Sequence, residues 1–152
     1  MLVYRITPKK FARGITGTGA AMFGGRWNKR GTPVLYTGES KEIALLETIV
    51  HTPPMLIPAL DLLILEIPDN SITKLKEKEL PKNWKDYPAP TILALLGEDW
   101  VKKAKTIALK VLSCIIHSSN NYILNCRHPD YAKVKITEHC DFYFDSRVQR
   151  FK

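Results

Sequence analysis

The run Val34-Leu35-Tyr36-Thr37-Gly38-Glu39-Ser40-Lys41-Glu42-Ile43-Ala44-Leu45-Leu46-Glu47-Thr48-Ile49-Val50 decides how the chain folds. Its first four residues predict a short strand, Val34 to Thr37. Ser40 then offers a side-chain oxygen where a helix needs a cap, and Glu42 falls in the first turn. A helix is expected from Ser40 to about Val50. At about 100° per residue, Ile43, Leu46, Glu47 and Val50 share one face. Three of these are residues a helix presents to a core, so Glu47 is carried inward, where an unpaired carboxylate is costly. Two readings follow: a buried structural ion pair, or a carboxylate poised in a cleft.

Upstream, Leu2 to Ile6 reads as a first strand, with Arg5 on the face opposite Tyr4. Taken alone, that arginine is an exposed strand residue. Glycines crowd the next segment, in Gly14-Ile15-Thr16-Gly17-Thr18-Gly19 and again in Gly24-Gly25-Arg26-Trp27-Asn28. Such density marks a loop that turns sharply or lies against a ligand. Two glycines before Arg26 permit close approach, and a guanidinium grips phosphate oxygens with two parallel donors.

Downstream, Leu60 to Ile67 predicts a buried strand closed by Pro68-Asp69-Asn70. The lysine-rich stretch Ile72 to Lys105 reads as helical with breaks at Pro81, Pro88 and Pro90, and Gly97 separates two helical pieces. Further strands are expected at Ile107 to Ile116, Val134 to Thr137 and Phe142 to Phe144. Strands gathered toward both ends with helices between predict a mixed α+β domain, without the regular alternation of a doubly wound sheet.

At 152 residues the chain has the size of one domain, and its 45% apolar content is that of a globular protein. The three cysteines, Cys114, Cys126 and Cys140, form no CxxC pair and argue for reduced thiols rather than a disulfide scaffold. Met1 to Lys10 lacks the order of a signal peptide. Leu60 to Ile67 is short and broken by Asp61 and Glu66, unlike a membrane span. A soluble, cytoplasmic protein is expected. The net charge of +8 points either to an anionic partner or to a solvated lysine surface. Its lysines are not interleaved with aromatics as a single-strand nucleic-acid platform requires. No helix-turn-helix signature supports a basic nucleic-acid-binding module.

Several familiar chemistries lack their motifs. Gly17-Thr18-Gly19 would need a glycine at position 22 to complete GxGxxG, and Met22 stands there; no P-loop occurs. Cys126, His128, His139 and Cys140 do not have zinc-site spacing. Ser113 and His117 come without a nucleophile elbow.

Taken in order, a set of short segments resembles the RES family, named for an arginine, a glutamate and a serine. They are Tyr4-Arg5, Gly24-Gly25-Arg26-Trp27-Asn28, Val34-Leu35-Tyr36-Thr37, Ala44-Leu45-Leu46-Glu47 and Leu80-Pro81-Lys82-Asn83-Trp84. Gly97-Glu98-Asp99-Trp100, Val111-Leu112-Ser113, Asn121-Tyr122-Ile123-Leu124-Asn125, His128-Pro129 and Phe144-Asp145-Ser146-Arg147 follow. Leu112 and Cys126 stand where similar proteins usually have proline.

The resemblance implies one RES domain over residues 1–152, with a mostly antiparallel β core and flanking helices, similar to ADP-ribosyltransferase toxins. It implies the toxin of a type II toxin–antitoxin system that cleaves the nicotinamide–ribose bond of NAD by phosphorolysis or hydrolysis. The alternative it carries is transfer of ADP-ribose to a host protein. NAD is then the substrate and inorganic phosphate a co-substrate, with no separate cofactor and no metal. The implied protein partner is a Xre-type antitoxin that occludes the cleft and provides any DNA binding; no membrane is involved. As implied roles, Glu47 stabilises the ribosyl cation, Arg5 and Arg26 hold pyrophosphate or phosphate, and Tyr36 contacts the nicotinamide end. Ser113 and Asn125 position the ribose or the attacking group, and Asn28 belongs to the same binding motif.

Overall fold

The computed structural model describes residues 1–53, 58–143 and 145–151. The chain opens with β1 (Leu2–Pro8), and a short helix α1 (Thr18–Phe23) lies within the glycine-rich stretch. Strand β2 (Val34–Gly38) leads into helix α2 (Lys41–His51). Then come β3 (Leu60–Glu66), β4 (Ile72–Lys74), helix α3 (Thr91–Lys103), β5 (Ala108–Leu112), β6 (Asn120–Asn125) and β7 (Lys135–Phe142). One sheet takes the strands in the order β4-β5-β6-β2-β1-β3-β7. Only β4 and β5 run parallel among these neighbours. This is the expected mixed, mostly antiparallel α+β architecture.

The sheet is not uniformly zipped. β1 pairs with β3 from Leu2↔Glu66 to Pro8↔Leu60, and β2 pairs with β6 from Val34↔Asn125 to Gly38↔Asn121. Between β1 and β2 the register is Tyr4↔Gly38 alone. Where they part, Arg5 Nη1 donates to the Tyr36 carbonyl at 3.0 Å, a side-chain substitute for a ladder bond. Apolar clusters lie on both faces. Trp27, Trp84, Leu93, Trp100 and Ile123 pack under α3, and Ile6, Ala44, Leu62 and Ile64 pack under α2. Val3, Leu35, Leu65, Ile107, Tyr122 and Leu124 fill the other face.

Local chemistry seats α2. Ser40 Oγ accepts the Ile43 N–H at 3.2 Å, the cap the sequence predicts. Gly38 has no side chain because a Cβ there would stand 3.0 Å from Ala44 N and Ile43 Cγ2. Thr48 Oγ1 bonds the Ile6 carbonyl at 2.9 Å, tying the helix to β1. The buried face is thus Ile43 and Ala44 with Glu47 and Thr48 alongside. Val50, expected to face the core, is exposed.

Further expectations are corrected. The stretch Ile72 to Lys105 is not helical throughout: it opens with strand β4, and its α-helix is α3, Thr91–Lys103. Gly97 does not separate two helices: it lies buried inside continuous α3, where a Cβ would come within 1.8 Å of the Trp27 carbonyl oxygen. Close approach, not helix breaking, is its role. Strand β6 was not foreseen, and the strand expected over Ile107 to Ile116 ends at Leu112. The sequence predicts two strands, Val134 to Thr137 and Phe142 to Phe144, but β7 is one strand from Lys135 to Phe142; Phe144 lies outside the described residues. No described helix is long and apolar enough to cross a membrane.

Candidate active site

Glu47 is a quarter exposed, midway along α2, and meets two donors from across the sheet. Asn121 Nδ2, at the start of β6, donates to its Oε1 at 2.7 Å, and Ser113 Oγ donates to the same oxygen at 3.2 Å. Ser113 is fully buried just past β5. Its oxygen accepts the backbone N–H groups of Ile115 at 3.1 Å and Ile116 at 3.2 Å. Both acceptor sites of the hydroxyl are filled, so its one proton points at Glu47. The two donors therefore hold Oε1 in place. Oε2 has no hydrogen-bond donor among the described residues; its near neighbour is His51 Nε2 at 3.8 Å. Asn121 Oδ1 is buried without a partner among the described residues.

The glycine loop builds the second wall. Gly25 and Asn28 bridge to each other, and a Cβ on Gly25 would stand 2.6 Å from the Tyr36 hydroxyl. That hydroxyl donates to Asn28 Oδ1 at 2.6 Å and accepts the Trp27 N–H at 3.1 Å. Burial pushes the Tyr36 pKa up to about 12, so the phenol stays neutral. Asn28 Nδ2 donates to the carbonyls of Ala20, Lys29 and Thr32. The side chain of Asn28 is thus spent inside the protein, and it acts by holding Tyr36.

Arg26 reaches the other way. Nη1 donates to the Trp84 carbonyl at 2.8 Å and Nη2 to the Asp86 carbonyl at 3.0 Å. Its charge is felt at Tyr36 and at Cys114, and Cys114 also feels Glu47. Burial pushes the Cys114 thiol up, and it stays neutral between cation and anion. His117 Nε2 lies 3.2 Å from the Cys114 carbonyl, with its ring edge-on to Trp84. Cys114 thus has both Arg26 and Glu47 as neighbours, with Ser113 bonded to Glu47 and Tyr36 near Arg26.

Two expected residues stand outside this group, Asn125 away from it and Arg5 beside it at the Tyr36 carbonyl. Asn125 is fully buried, donating to the Val101 carbonyl at 3.2 Å and accepting the Arg127 N–H at 3.0 Å. It clamps α3 to the end of β6. Arg5 lies on the face opposite Tyr4, where burial lowers its pKa and Tyr131 and Cys126 are its electrostatic neighbours. Its Nε is buried without a partner among the described residues. Sequence reasoning missed Asn121. Had β6 been recognised, its two-residue period would have put Asn121 and Asn125 on one face but about 13 Å apart, so that only one reaches Glu47.

A family model described as the RES domain matches residues 2–145. "Toxin Res" of Yersinia enterocolitica is 33% identical over 152 residues, covering 98% of this chain and 100% of that protein. "Toxin Res" of Photorhabdus laumondii is 35% identical over 156 residues, covering 100% and 99%. The "Prs ADP-ribosylating toxin" of a Sphingobium species is 31% identical over 140 residues, covering 90% and 87%. A chain in the crystal structure of the M. tuberculosis MbcT–MbcA toxin–antitoxin complex shares the fold. Its TM-score is 0.77 at 17% identity, over 99% of this chain and 87% of that one.

Proposed function

The chain belongs to the RES domain family, and from that premise we propose that it is the toxin of a toxin–antitoxin pair, breaking the nicotinamide–ribose bond of NAD. The observation that carries the reading is the asymmetry of Glu47. One carboxylate oxygen is anchored by Asn121 and Ser113, and the other has no donor among the described residues. Loss of nicotinamide leaves positive charge on the ribose carbon, as in glycoside hydrolysis. A fixed carboxylate beside that carbon stabilises the transition state more than the ground state, which is the condition for acceleration. Nicotinamide leaves as a neutral base, so no acid must protonate it.

The neighbours have matching roles. The orphaned Asn121 Oδ1 is an acceptor suited to a ribose hydroxyl, which would satisfy a buried oxygen. Arg26 supplies positive charge for the pyrophosphate or an incoming phosphate, and Tyr36 contacts the nicotinamide end. Ser113 orients Glu47. Arg5, a buried cation with an unpaired Nε, offers a second anion contact where β1 and β2 separate. Asn28 and Asn125 act through the residues they hold. A protein antitoxin covering this region is the partner, and the similarity to a chain of a toxin–antitoxin complex supports that assignment.

The resemblance to a relative named an ADP-ribosylating toxin favours a second reading, in which a protein side chain captures the ribosyl group. Mass analysis after incubation with NAD separates the outcomes. ADP-ribose phosphate or ADP-ribose is expected from the purified protein; a modified protein without free sugar products would favour transfer, and intact NAD under every condition would reject both.

A further inference from the structure

We propose that His51 is a positioning residue for the hydrolytic branch of the reaction, taking from Glu47 the proton that water must lose. This rests on the NAD-cleaving reading above. Glu47 Oε1 is saturated by Asn121 and Ser113, so chemistry that needs a free oxygen falls to Oε2. One helical turn on, His51 Nε2 lies 3.8 Å from that oxygen, with its ring 70% exposed. The separation closes to hydrogen-bond length by a small turn of the exposed ring, or spans one water. The imidazole thus connects the carboxylate to solvent.

The other ionisable groups around Glu47 do not fill this role. Arg26 has no proton to exchange at ordinary pH and is engaged with the carbonyls of Trp84 and Asp86. The Cys114 thiol is held neutral by burial. His117 has its Nε2 at the Cys114 carbonyl rather than at Glu47. His51 is the imidazole placed at the working oxygen.

The two acceptors differ in proton balance. When water attacks, its oxygen bonds to the ribose carbon and the carbon–nitrogen bond breaks with its electron pair on nicotinamide. One proton remains to be removed: it passes to Glu47 Oε2, then to His51, then to solvent. When the phosphate dianion attacks, the oxygen that bonds carries no proton, and none has to be moved in that step. His51 therefore sets the ratio of hydrolysis to phosphorolysis.

The test compares wild-type protein, His51→Gln and His51→Ala on NAD, with and without phosphate, and quantifies ADP-ribose and ADP-ribose phosphate. His51→Gln is expected to lower the ratio of ADP-ribose to ADP-ribose phosphate by at least about tenfold. Added imidazole is expected to restore hydrolysis to His51→Ala. A ratio unaltered by His51→Gln overturns the inference while leaving the NAD-cleaving reading intact. A wild-type protein that makes no ADP-ribose in phosphate-free buffer has no proton for His51 to carry, and also overturns it. One that releases no nicotinamide at all overturns both.

Discussion

Asn121 and Glu47, 74 residues apart in sequence, meet because β6 lies beside β2 while α2 folds back over Gly38. The amide anchors the carboxylate through Nδ2, and its own oxygen is buried without a partner among the described residues. Its removal should separate chemistry from folding. A hydrogen bond to a charged acceptor contributes about 1.5–3 kcal/mol, so Asn121→Ala is expected to lower kcat by about 10- to 100-fold. Circular dichroism should show the fold retained. Asn121→Asp removes the donor and places a second carboxylate against Glu47, so kcat should fall at least as far as in Asn121→Ala.

Gly25 and Tyr36 form a second coupled pair. Gly25→Ala drives a methyl group toward the Tyr36 hydroxyl and should destabilise the fold by about 1–3 kcal/mol. Tyr36→Phe removes that oxygen but strands the Trp27 N–H and Asn28 Oδ1, costing about 1–3 kcal/mol. Combined, they should cost less than their sum by about 1 kcal/mol, since the nearest clash, with the hydroxyl, is gone. Denaturant unfolding of the four proteins measures this.

The buried Tyr36 phenol also makes stability depend on alkaline pH. Its folded pKa is about 12, raised by burial above the ordinary value of 10.0. Between these values the unfolded chain has lost the proton that the folded chain keeps, so folding stability falls as pH rises. The contribution is complete below pH 10.0 and is lost by about 12. Tyr36→Phe should show a shallower alkaline loss of stability. An identical slope would mean the phenol titrates normally.

Legibility in the sequence followed the range of the interaction concerned. The Ser40 cap is local, and α2 with its inward Glu47 could be read from a dozen residues. The strands β1, β2 and β3 were legible from their apolar runs. β6 was not, because Asn120, Asn121 and Asn125 give its ends the composition of a loop. The resemblance implies a role for Asn125, but only the register between β6 and β2 shows that Asn121 is the asparagine opposite Gly38. Gly97 was misread for a related reason. Whether a glycine breaks a helix or admits a neighbouring backbone depends on that neighbour, here Trp27, which lies 70 positions away in the chain by its numbering.

Glu47→Gln gives the most direct measurement, because it keeps the shape of the side chain and the bonds from Asn121 and Ser113 while removing the charge. Nicotinamide release should fall by about 100-fold or more, with NAD affinity by calorimetry changed by less than about threefold. Release within tenfold of wild type, from a variant that binds NAD equally well, would contradict a carboxylate at the centre of the reaction.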